Sequence, residues 1–344
     1  MLRALQSIGL RSSDWKATTT KACRDLVQCV EAVGELLERM YEGCEPMVFY
    51  HQIRPFLAGS KGMSAVGLER GVFYDLGPAG EGNGEEGGEG VEEEEVEEVR
   101  GQKRKGKWMA YRGGSNGQSS LIQFWDLVLG VEHVSAGNSS PHGHSSSAPS
   151  SGSGSGNDKK QEKEKEKPFH EEVREYMPLK HRQFLALVSK MGLGKGGIRK
   201  AVMEMVETAH EQEGRELTAE EVEVQKAFQD ATRAVAAFRN KHLQIVARYI
   251  VIPSRQPVPE HLMRKRLVLD GEDGEKKDVD GEKLVVNLAS VSSGLQRGKG
   301  SEDGEGEKRE GQGGPELTGT GGTALLPFLK QTRDETLKAG EVGR

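Results

Sequence analysis

The sequence predicts an all-α protein whose helical domain is interrupted by long loop insertions. Apolar residues recur at spacings of three and four in four separate stretches, which is the period of an α-helix with one buried face. No stretch shows the strict alternation of apolar and polar residues that is typical of a half-buried strand. Three segments rich in Gly, Ser, Glu and Lys separate the periodic stretches, and such segments favour loops.

The helical stretches have recognisable ends. Gly43 and Gly130 follow the first two stretches, and glycine is common just after a helix C-terminus. Pro178 interrupts the third stretch, because proline lacks the backbone donor that a helix needs, and Pro253 ends the fourth. The predicted helices cover residues 26–41, 118–132, 168–190 (beginning with Pro168) and about 218–252.

The three insertions carry too little apolar surface to offset the entropy lost on ordering, so each is predicted to be a solvated loop. The first holds ten Glu followed by the basic run KRKGK at 103–107. We interpret this run as balancing the glutamates within one loop; a localisation signal or an anion contact are the alternatives. The predicted insertions cover residues 77–107, 135–167 and 257–317 of a single domain that spans 1–344.

Composition excludes several classes of function. The formal net charge is -6, and the basic residues are not gathered on one periodic face, so we expect no nucleic-acid partner. No apolar run approaches the roughly 20 residues of a membrane span, and the first apolar run is too short for a signal peptide. Three cysteines without a CxxC pair suit a reducing compartment. A soluble cytoplasmic protein with no membrane partner is expected.

His242 lies on the apolar row of the longest predicted helix, seven residues after Val235 and seven before Tyr249. A buried imidazole needs partners for both ring nitrogens. One interpretation is a core histidine that bonds a backbone carbonyl. The other is an iron ligand, because Arg239 on the adjoining face would suit the carboxylate side groups of a porphyrin. The helix pattern alone leaves both open.

Two glycine-rich turns precede predicted helices, where free backbone N–H groups favour an anion. They are GGSNGQSS at 113–120 and GTGGT at 319–323. Neither has the Gly-Lys-Ser/Thr of a Walker loop, and neither follows a strand as a dinucleotide site requires. Each is therefore either a tight turn with a helix cap or a ligand-binding turn. His142 and His144 lack cysteine or carboxylate support, so a metal contact there is the weaker interpretation.

Five segments occur together in a fixed order, and together they resemble the indoleamine 2,3-dioxygenase family. That family contains haem enzymes that open the indole ring of tryptophan to give N-formylkynurenine. The resemblance covers most of the chain outside the insertions, although Ser60 stands where many relatives carry Trp. The segments are FYHQIRPFLAGSKG at 49–62, GGSNGQSS at 113–120, YMP with HR at 176–182, HLQIV with RYI at 242–250, and GTGGT with FLK at 319–330.

The resemblance implies a haem b site. His242 would be the proximal iron ligand. Arg239 and Asp126 would form an ion pair that braces the proximal side, and Ser115 would help to hold a propionate. The alternative for Asp126, which lies on the helix after the glycine turn, is an ordinary surface charge.

The resemblance also implies a substrate site. Phe49 and Tyr50 would line the distal pocket, with Phe49 packing on the indole ring. Arg54 would receive the substrate carboxylate, for which its planar fork is suited. The alternatives are that the two aromatic residues belong to the core and that Arg54 is paired within the protein. The turn that would close over the substrate contains Gly321, Gly322 and Thr323.

The function implied is a tryptophan dioxygenase that uses L-tryptophan or a related indoleamine, O₂ and an external reductant, and a monomer is expected. The resemblance begins near residue 20, so the smaller N-terminal domain of the family is expected to be absent. Two alternatives stay open. One is a haem-binding protein without turnover, and the other is a non-enzymatic helical interaction protein.

Overall fold

The computed structural model describes residues 1–61, 63–78, 95–99, 101–134, 169–194, 196–212, 214–259, 262, 267–268, 285–286, 288–293 and 317–343. These residues are mostly helical, which confirms the all-α prediction. The insertion predicted at 135–167, with His142 and His144, lies outside the described residues.

Twelve α-helices are found in the part of the chain that is described. They are Leu2–Gly9 (α1), Trp15–Glu38 (α2), Met40–Gly43 (α3), Pro46–Val48 (α4), Ser120–Leu129 (α5), Phe169–Glu172 (α6), Leu179–Gly192 (α7), Ile198–Glu211 (α8), Ala219–Val246 (α9), Ile252–Ser254 (α10), Leu288–Ser292 (α11) and Leu325–Ala339 (α12). Shorter 3₁₀ turns lie at Arg54–Leu57, Ser64–Val66, Asn116–Gln118 and Val173–Tyr176, and π-helical turns lie at Phe49–Ile53 and Ala247–Val251.

The predicted helix ends are largely confirmed. α3 ends at Gly43, and Gly130 ends α5 in the left-handed conformation with φ of 66°. The break at Pro178 lies at the start of α7. The predicted end at Pro253 is wrong by a residue, because this proline lies inside α10. Proline is tolerated there because the first turn of a helix has no intrahelical partner for its N–H.

The described residues form two compact units. The first contains Met1–Glu31, Asn116–Ala237 and Gln331–Arg344, and the second contains Ala32–Ser115 and Phe238–Lys330. The division falls within α2, α9 and α12, so each of these helices contributes to both units. The single domain over 1–344 stays a prediction.

The first unit packs α5 against α7 through a glycine. A Cβ on Gly192 would lie 2.0 Å from the carbonyl oxygen of Leu127, so only glycine allows the two backbones to approach this closely. α5 begins at Ser119, whose hydroxyl accepts a hydrogen bond from the Ile122 N–H. This packing buries the α5 face that carries Asp126.

The second unit contains a three-stranded antiparallel sheet that the sequence did not predict. Its strands are Val72–Pro78 (β1), Glu95–Val99 (β2) and Gln102–Met109 (β3), in the order β1-β3-β2. The prediction of a solvated loop over 77–107 is therefore wrong for β2 and β3. Within the predicted insertion at 257–317 the structure also describes α11 and a two-stranded pair, Leu267–Val268 (β4) and Val285–Val286 (β5).

Opposite charges explain how strands form without an apolar pattern. The acidic strand β2 pairs with the basic strand β3, so Glu97 lies opposite Arg104 and Glu98 opposite Lys103. Such cross-strand pairs each stabilise a sheet by roughly 0.2–1 kcal/mol. Glu97 also accepts a hydrogen bond from Trp108 Nε1 at 2.9 Å. The ion pairs found here join Arg70 to Glu95 and Glu97, and Arg104 to Asp75, so neutralisation of the glutamates by the basic run at 103–107 stays a prediction.

Among the described residues, no helix is both long enough and apolar enough to span a membrane. The three cysteines are all free thiols.

Candidate functional site

His242 lies in the part of α9 that belongs to the second unit. Burial, together with the charge of Arg239, lowers the pKa of His242 to about 4. The ring is therefore neutral near pH 7, and a neutral imidazole is the form that ligates a metal. Arg239 is itself only 8% exposed, so the helix presents a neutral imidazole and a buried cation three residues apart.

The helix that carries His242 continues into the π-helical turn Ala247–Val251. Tyr249 is buried in this turn, and its hydroxyl lies 3.0 Å from the carbonyl oxygens of Met40 and Cys44. Phe49 packs edge-on against the Tyr249 ring, with 5.7 Å between ring centroids. Tyr249 follows His242 by seven residues, a helical rise of about 10 Å, so this contact packs Phe49 against the same helical segment that carries His242.

Phe49 and Tyr50 have different environments. Both lie in the π-helical turn Phe49–Ile53, a geometry often found at functional sites. Phe49 is half-buried, whereas Tyr50 is 1% exposed and its hydroxyl lies 3.0 Å from the Ser293 hydroxyl. Burial raises the pKa of Tyr50, which keeps the phenol protonated. Tyr50 is thus a core aromatic residue with a fixed polar tip, and Phe49 is the better placed of the two for a ligand.

Arg54 is a buried cation held by neutral groups. Its side chain is 1% exposed, and burial lowers its pKa. Nη1 donates to the Ser292 and Ser293 hydroxyls at 3.1 and 2.7 Å, and Nη2 donates to the carbonyl oxygen of Thr318 at 2.9 Å. Within the described residues, Arg54 has no carboxylate partner and its buried Nε has no acceptor. The alternative that Arg54 is paired within the protein is met in part, by hydrogen bonds to neutral groups.

The two glycine-rich turns are joined to each other. The backbone N–H of Gly113 donates to the Thr320 carbonyl at 3.1 Å, and the Thr320 hydroxyl donates to the Gly114 carbonyl. Arg112 adds a third link, since its Nη1 donates to the Gly321 carbonyl at 2.6 Å. The structure therefore brings the turn that carries Ser115 and the predicted substrate turn into one local framework.

The GTGGT turn is also closed on itself. Gly319 N–H donates to the Thr323 carbonyl at 2.8 Å, and Gly322 N–H donates to the Gly319 carbonyl at 2.8 Å. Gly322 has φ of 82°, a left-handed conformation that favours glycine. The base of the turn reaches α11, because Thr318 N–H donates to the Ser293 carbonyl at 2.9 Å. Arg54 and the turn thus share Thr318 and Ser293 as partners.

An apolar cluster joins the end of α9 to the helix that follows the GTGGT turn. Val246, four residues beyond His242, is buried with Val251 and Leu325. Burial of side chains of this size stabilises the contact by about 1.5–3 kcal/mol each. The half-buried members of the cluster are Ile250, Leu317, Leu326 and Leu329.

Asp126 lies in the first unit and is 3% exposed, so it is not a surface charge. Its Oδ2 is 3.1 Å from Nε2 of His133, and Nδ1 of the same histidine is 2.6 Å from Oε2 of Glu335. The His133 ring also stacks on His170 with 4.1 Å between centroids. The pairing of Asp126 with Arg239 stays a prediction.

Comparison with known proteins places the chain in a family. The family model described as indoleamine 2,3-dioxygenase matches residues 1–339. The chain belongs to the indoleamine 2,3-dioxygenase family.

Individual curated proteins are also similar to this chain. The chain is 30% identical over 313 residues to an indoleamine 2,3-dioxygenase of Aspergillus candidus, covering 91% of this chain and 48% of the relative. It is 29% identical over 334 residues to an indoleamine 2,3-dioxygenase of Saccharomyces cerevisiae, covering 97% and 53%. A protein of Haliotis madaka named myoglobin is 27% identical over 265 residues, covering 76% and 50%. The chain spans about half the length of these curated relatives.

Indoleamine 2,3-dioxygenases use haem, and the residues of this chain fit that group. The donor that iron needs is present as the neutral imidazole of His242, and the buried Arg239 supplies a cation for a propionate. Ser115, half-buried beside the joined glycine turns, offers a hydroxyl. The fit rests on the chemistry of these side chains.

Four contributors to the candidate site were not predicted from the sequence. Ser292, Ser293 and Thr318 hold Arg54, and Arg112 holds the GTGGT turn. Arg112 directly precedes the GGSNGQSS motif, and its position there was the available signal. The serines follow a short apolar run at 288–291 inside a segment that composition assigned to a loop.

Proposed function

We propose that this chain is a haem-dependent dioxygenase that inserts both atoms of O₂ into the indole ring of L-tryptophan, giving N-formylkynurenine. The observation that carries the proposal is the buried Arg54 guanidinium, which has hydroxyl and carbonyl partners but no carboxylate among the described residues. A buried cation of this kind is stabilised by an anionic ligand. An α-amino acid brings such an anion into the site.

The proximal residues have defined tasks in this proposal. His242 would donate its ring nitrogen to the iron of haem b, Arg239 would pair with a propionate or with Asp126, and the Ser115 hydroxyl would donate to a propionate. Bound haem would supply ferrous iron with one open position for O₂. An external reductant sets the ferrous state and is not consumed in each turnover, because both oxygen atoms enter the product.

The substrate-facing residues would bind and orient the amino acid. Arg54 would receive the carboxylate through Nε and Nη2, the adjacent nitrogens that a carboxylate meets side-on. Phe49 would pack on the indole ring. The GTGGT turn, with Gly321, Gly322 and Thr323, would cover the substrate and exclude water. None of these tasks requires a protein group that removes a proton.

A second candidate function is reversible binding of O₂ by haem without turnover. The relative from Haliotis madaka that is named myoglobin favours it. In this case His242 would serve the same ligand role, but Arg54 would have no substrate to orient. The two functions therefore differ in their need for Arg54: a dioxygenase requires it to orient the substrate, and reversible O₂ binding does not.

The test uses the full chain, expressed with a supply of haem. We expect a haem Soret band, and we expect formation of N-formylkynurenine when L-tryptophan, O₂ and a reductant are added. His242→Ala should abolish the Soret band, and Arg54→Lys should keep the band but reduce product formation at least about tenfold, the equivalent of about 1.4 kcal/mol. Arg233→Lys, an exposed position on α9, is the matched control.

Each failure has a separate meaning. A Soret band with no product supports the O₂-binding function, and the monomeric state is checked by sedimentation of the same sample. Absence of a Soret band would contradict both functions and would favour a non-enzymatic helical interaction protein.

A further inference from the structure

We propose that Ser293, with Ser292, positions the Arg54 guanidinium and thereby sets the preference of the site for indole ligands that carry a carboxylate. The inference rests on the proposed function and deepens it. Both serines lie at the end of α11, far along the chain from Arg54 and inside a segment that composition had assigned to a loop.

The hydrogen bonds around the Ser293 hydroxyl can be assigned completely. Its oxygen lies 2.7 Å from the Ala289 carbonyl, 2.7 Å from Arg54 Nη1 and 3.0 Å from the Tyr50 hydroxyl. A carbonyl only accepts and a guanidinium only donates. The single Ser293 proton therefore points to Ala289, and both lone pairs accept, one from Arg54 and one from Tyr50. The whole capacity of this hydroxyl is used.

Ser292 completes the hold on the same nitrogen. Its hydroxyl lies 3.1 Å from the Ala289 carbonyl and 3.1 Å from Arg54 Nη1, so it donates to the first and accepts from the second. The two serines together occupy both N–H groups of Nη1. They are 7% and 0% exposed, so water does not compete for these bonds.

The assignment determines which edge of Arg54 is left for a ligand. A guanidinium has five N–H donors. Two go to the serines and one from Nη2 goes to the Thr318 carbonyl. The remaining two are the second N–H of Nη2 and the N–H of Nε, which is buried without an acceptor among the described residues. A carboxylate meets two N–H groups on adjacent nitrogens with good geometry.

Ser293 also links this edge to the substrate turn. Its backbone carbonyl accepts from Thr318 N–H at 2.9 Å, and the Thr318 carbonyl accepts from Arg54. A shift of α11 would therefore move the guanidinium and the base of the GTGGT turn together. Ser293 acts through Arg54 and is a positioning residue, since nothing requires it to touch the substrate.

The test compares two ligands that differ in the carboxylate, L-tryptophan and tryptamine. Their dissociation constants are measured by optical titration of the haem-loaded full chain. In Ser293→Ala, Nη1 loses one acceptor, and we expect L-tryptophan to bind about tenfold more weakly while tryptamine changes less than about twofold. Ser292→Ala removes the longer hydrogen bond, so it should shift the ratio of the L-tryptophan and tryptamine dissociation constants in the same direction by a smaller factor. Ser254→Ala is the control, because its hydroxyl donates to the Val251 carbonyl, a bond outside the Arg54 framework.

The outcomes separate this inference from the proposed function. If both ligands weaken equally in Ser293→Ala and in Ser292→Ala, the serines have only a structural role and the inference is overturned, while the function stands. A wild-type chain that binds tryptamine as tightly as L-tryptophan overturns it as well. If the wild-type chain binds neither ligand, the proposed function fails and the inference fails with it. In an Arg54→Lys background the Ser293→Ala effect on L-tryptophan should disappear.

Discussion

Arg112 fastens the GTGGT turn at its midpoint, where Nη1 donates to the Gly321 carbonyl at 2.6 Å. The next residue, Gly322, lies so close that a Cβ there would be 2.9 Å from the same Nη1. Two further bonds join Thr320 to Gly113 and Gly114: a backbone bond from the Gly113 N–H and a bond from the Thr320 hydroxyl, which belongs to the turn itself. Arg112 is the side chain that can be changed without altering the turn itself.

Arg112→Met should therefore loosen the turn and leave the fold intact. A hydrogen bond from a charged donor contributes about 1–2 kcal/mol when partly exposed, so we expect about a fivefold to thirtyfold rise in the Michaelis constant for L-tryptophan. Hydrogen exchange of the Gly319 and Gly322 amides should accelerate. Arg39→Met, at an exposed position, is the control. Unchanged exchange at the two glycines would show that the turn is held without Arg112, by its backbone bonds and the Thr320 hydroxyl.

His242 should make the stability of the haem-free chain depend on pH. Its pKa is about 4 in the folded chain and about 6.5 in an unfolded one. Between these values the unfolded chain binds more protons, so the free energy of unfolding falls as the pH drops from about 6.5 to 4, by up to about 3 kcal/mol. Urea titrations at several pH values measure this slope. His242→Phe should flatten it, whereas His210→Gln, at an exposed position, should not.

The helices were predictable because their signals are local. The apolar period of three to four residues located α5 and α9, and Gly130 marked an end that requires positive φ. His242 was found because it interrupts an apolar row. The same local pattern could not show that Phe49 and Tyr50 differ in burial. Their environments depend on Tyr249 and Ser293, which are distant in the sequence.

The remaining structure depends on contacts that leave no local pattern. β2 and β3 carry charges, not alternating apolar residues, and their pairing becomes visible only when Glu97 and Arg104 are placed opposite each other. The partners of Arg54 lie more than two hundred residues away. The composition of residues 257–317 predicted a solvated loop, because the short apolar run of α11 contributes little to the average over the whole segment.

Glu221 should stabilise the start of α9 fully above about pH 4.5 and progressively less as the pH falls toward 2. Its carboxylate accepts from Thr218 N–H at 2.9 Å, and its own N–H donates to the Thr218 hydroxyl at 3.4 Å, which forms a capping box. Hydrogen bonding from Arg215 is the largest cause that lowers its pKa to about 2. Because the folded pKa is depressed, this stabilisation is complete above about 4.5 and is lost as the pH falls toward 2.

Glu221→Gln should therefore lower the free energy of unfolding by about 2 kcal/mol at pH 7 and by much less at pH 3. Urea denaturation followed by circular dichroism at the two pH values checks this. Glu220→Gln, at the exposed neighbouring position, is the matched control. An equal loss at pH 7 and pH 3 would mean that packing of the side chain, not its charge, is responsible.

His133 should be required to hold the buried carboxylate of Asp126 and the half-buried carboxylate of Glu335 together. It lies between Asp126 and Glu335, with a ring nitrogen facing each. Burial alone raises the pKa of Glu335, but hydrogen bonding, chiefly from His133, holds it below the usual range. His133→Phe leaves both carboxylates without this partner, and we expect it to cost about 3 kcal/mol of unfolding free energy at pH 7.

The pH dependence of this variant gives the sharper test. Without His133 the pKa of Glu335 should rise, so its carboxyl takes up a proton at a higher pH than in wild type. The deficit of His133→Phe relative to wild type should therefore shrink as the pH is lowered. Glu335→Gln should recover part of the loss at pH 7, because it removes one of the two facing charges. Additive losses in the double variant would show that His133 and Glu335 are not coupled.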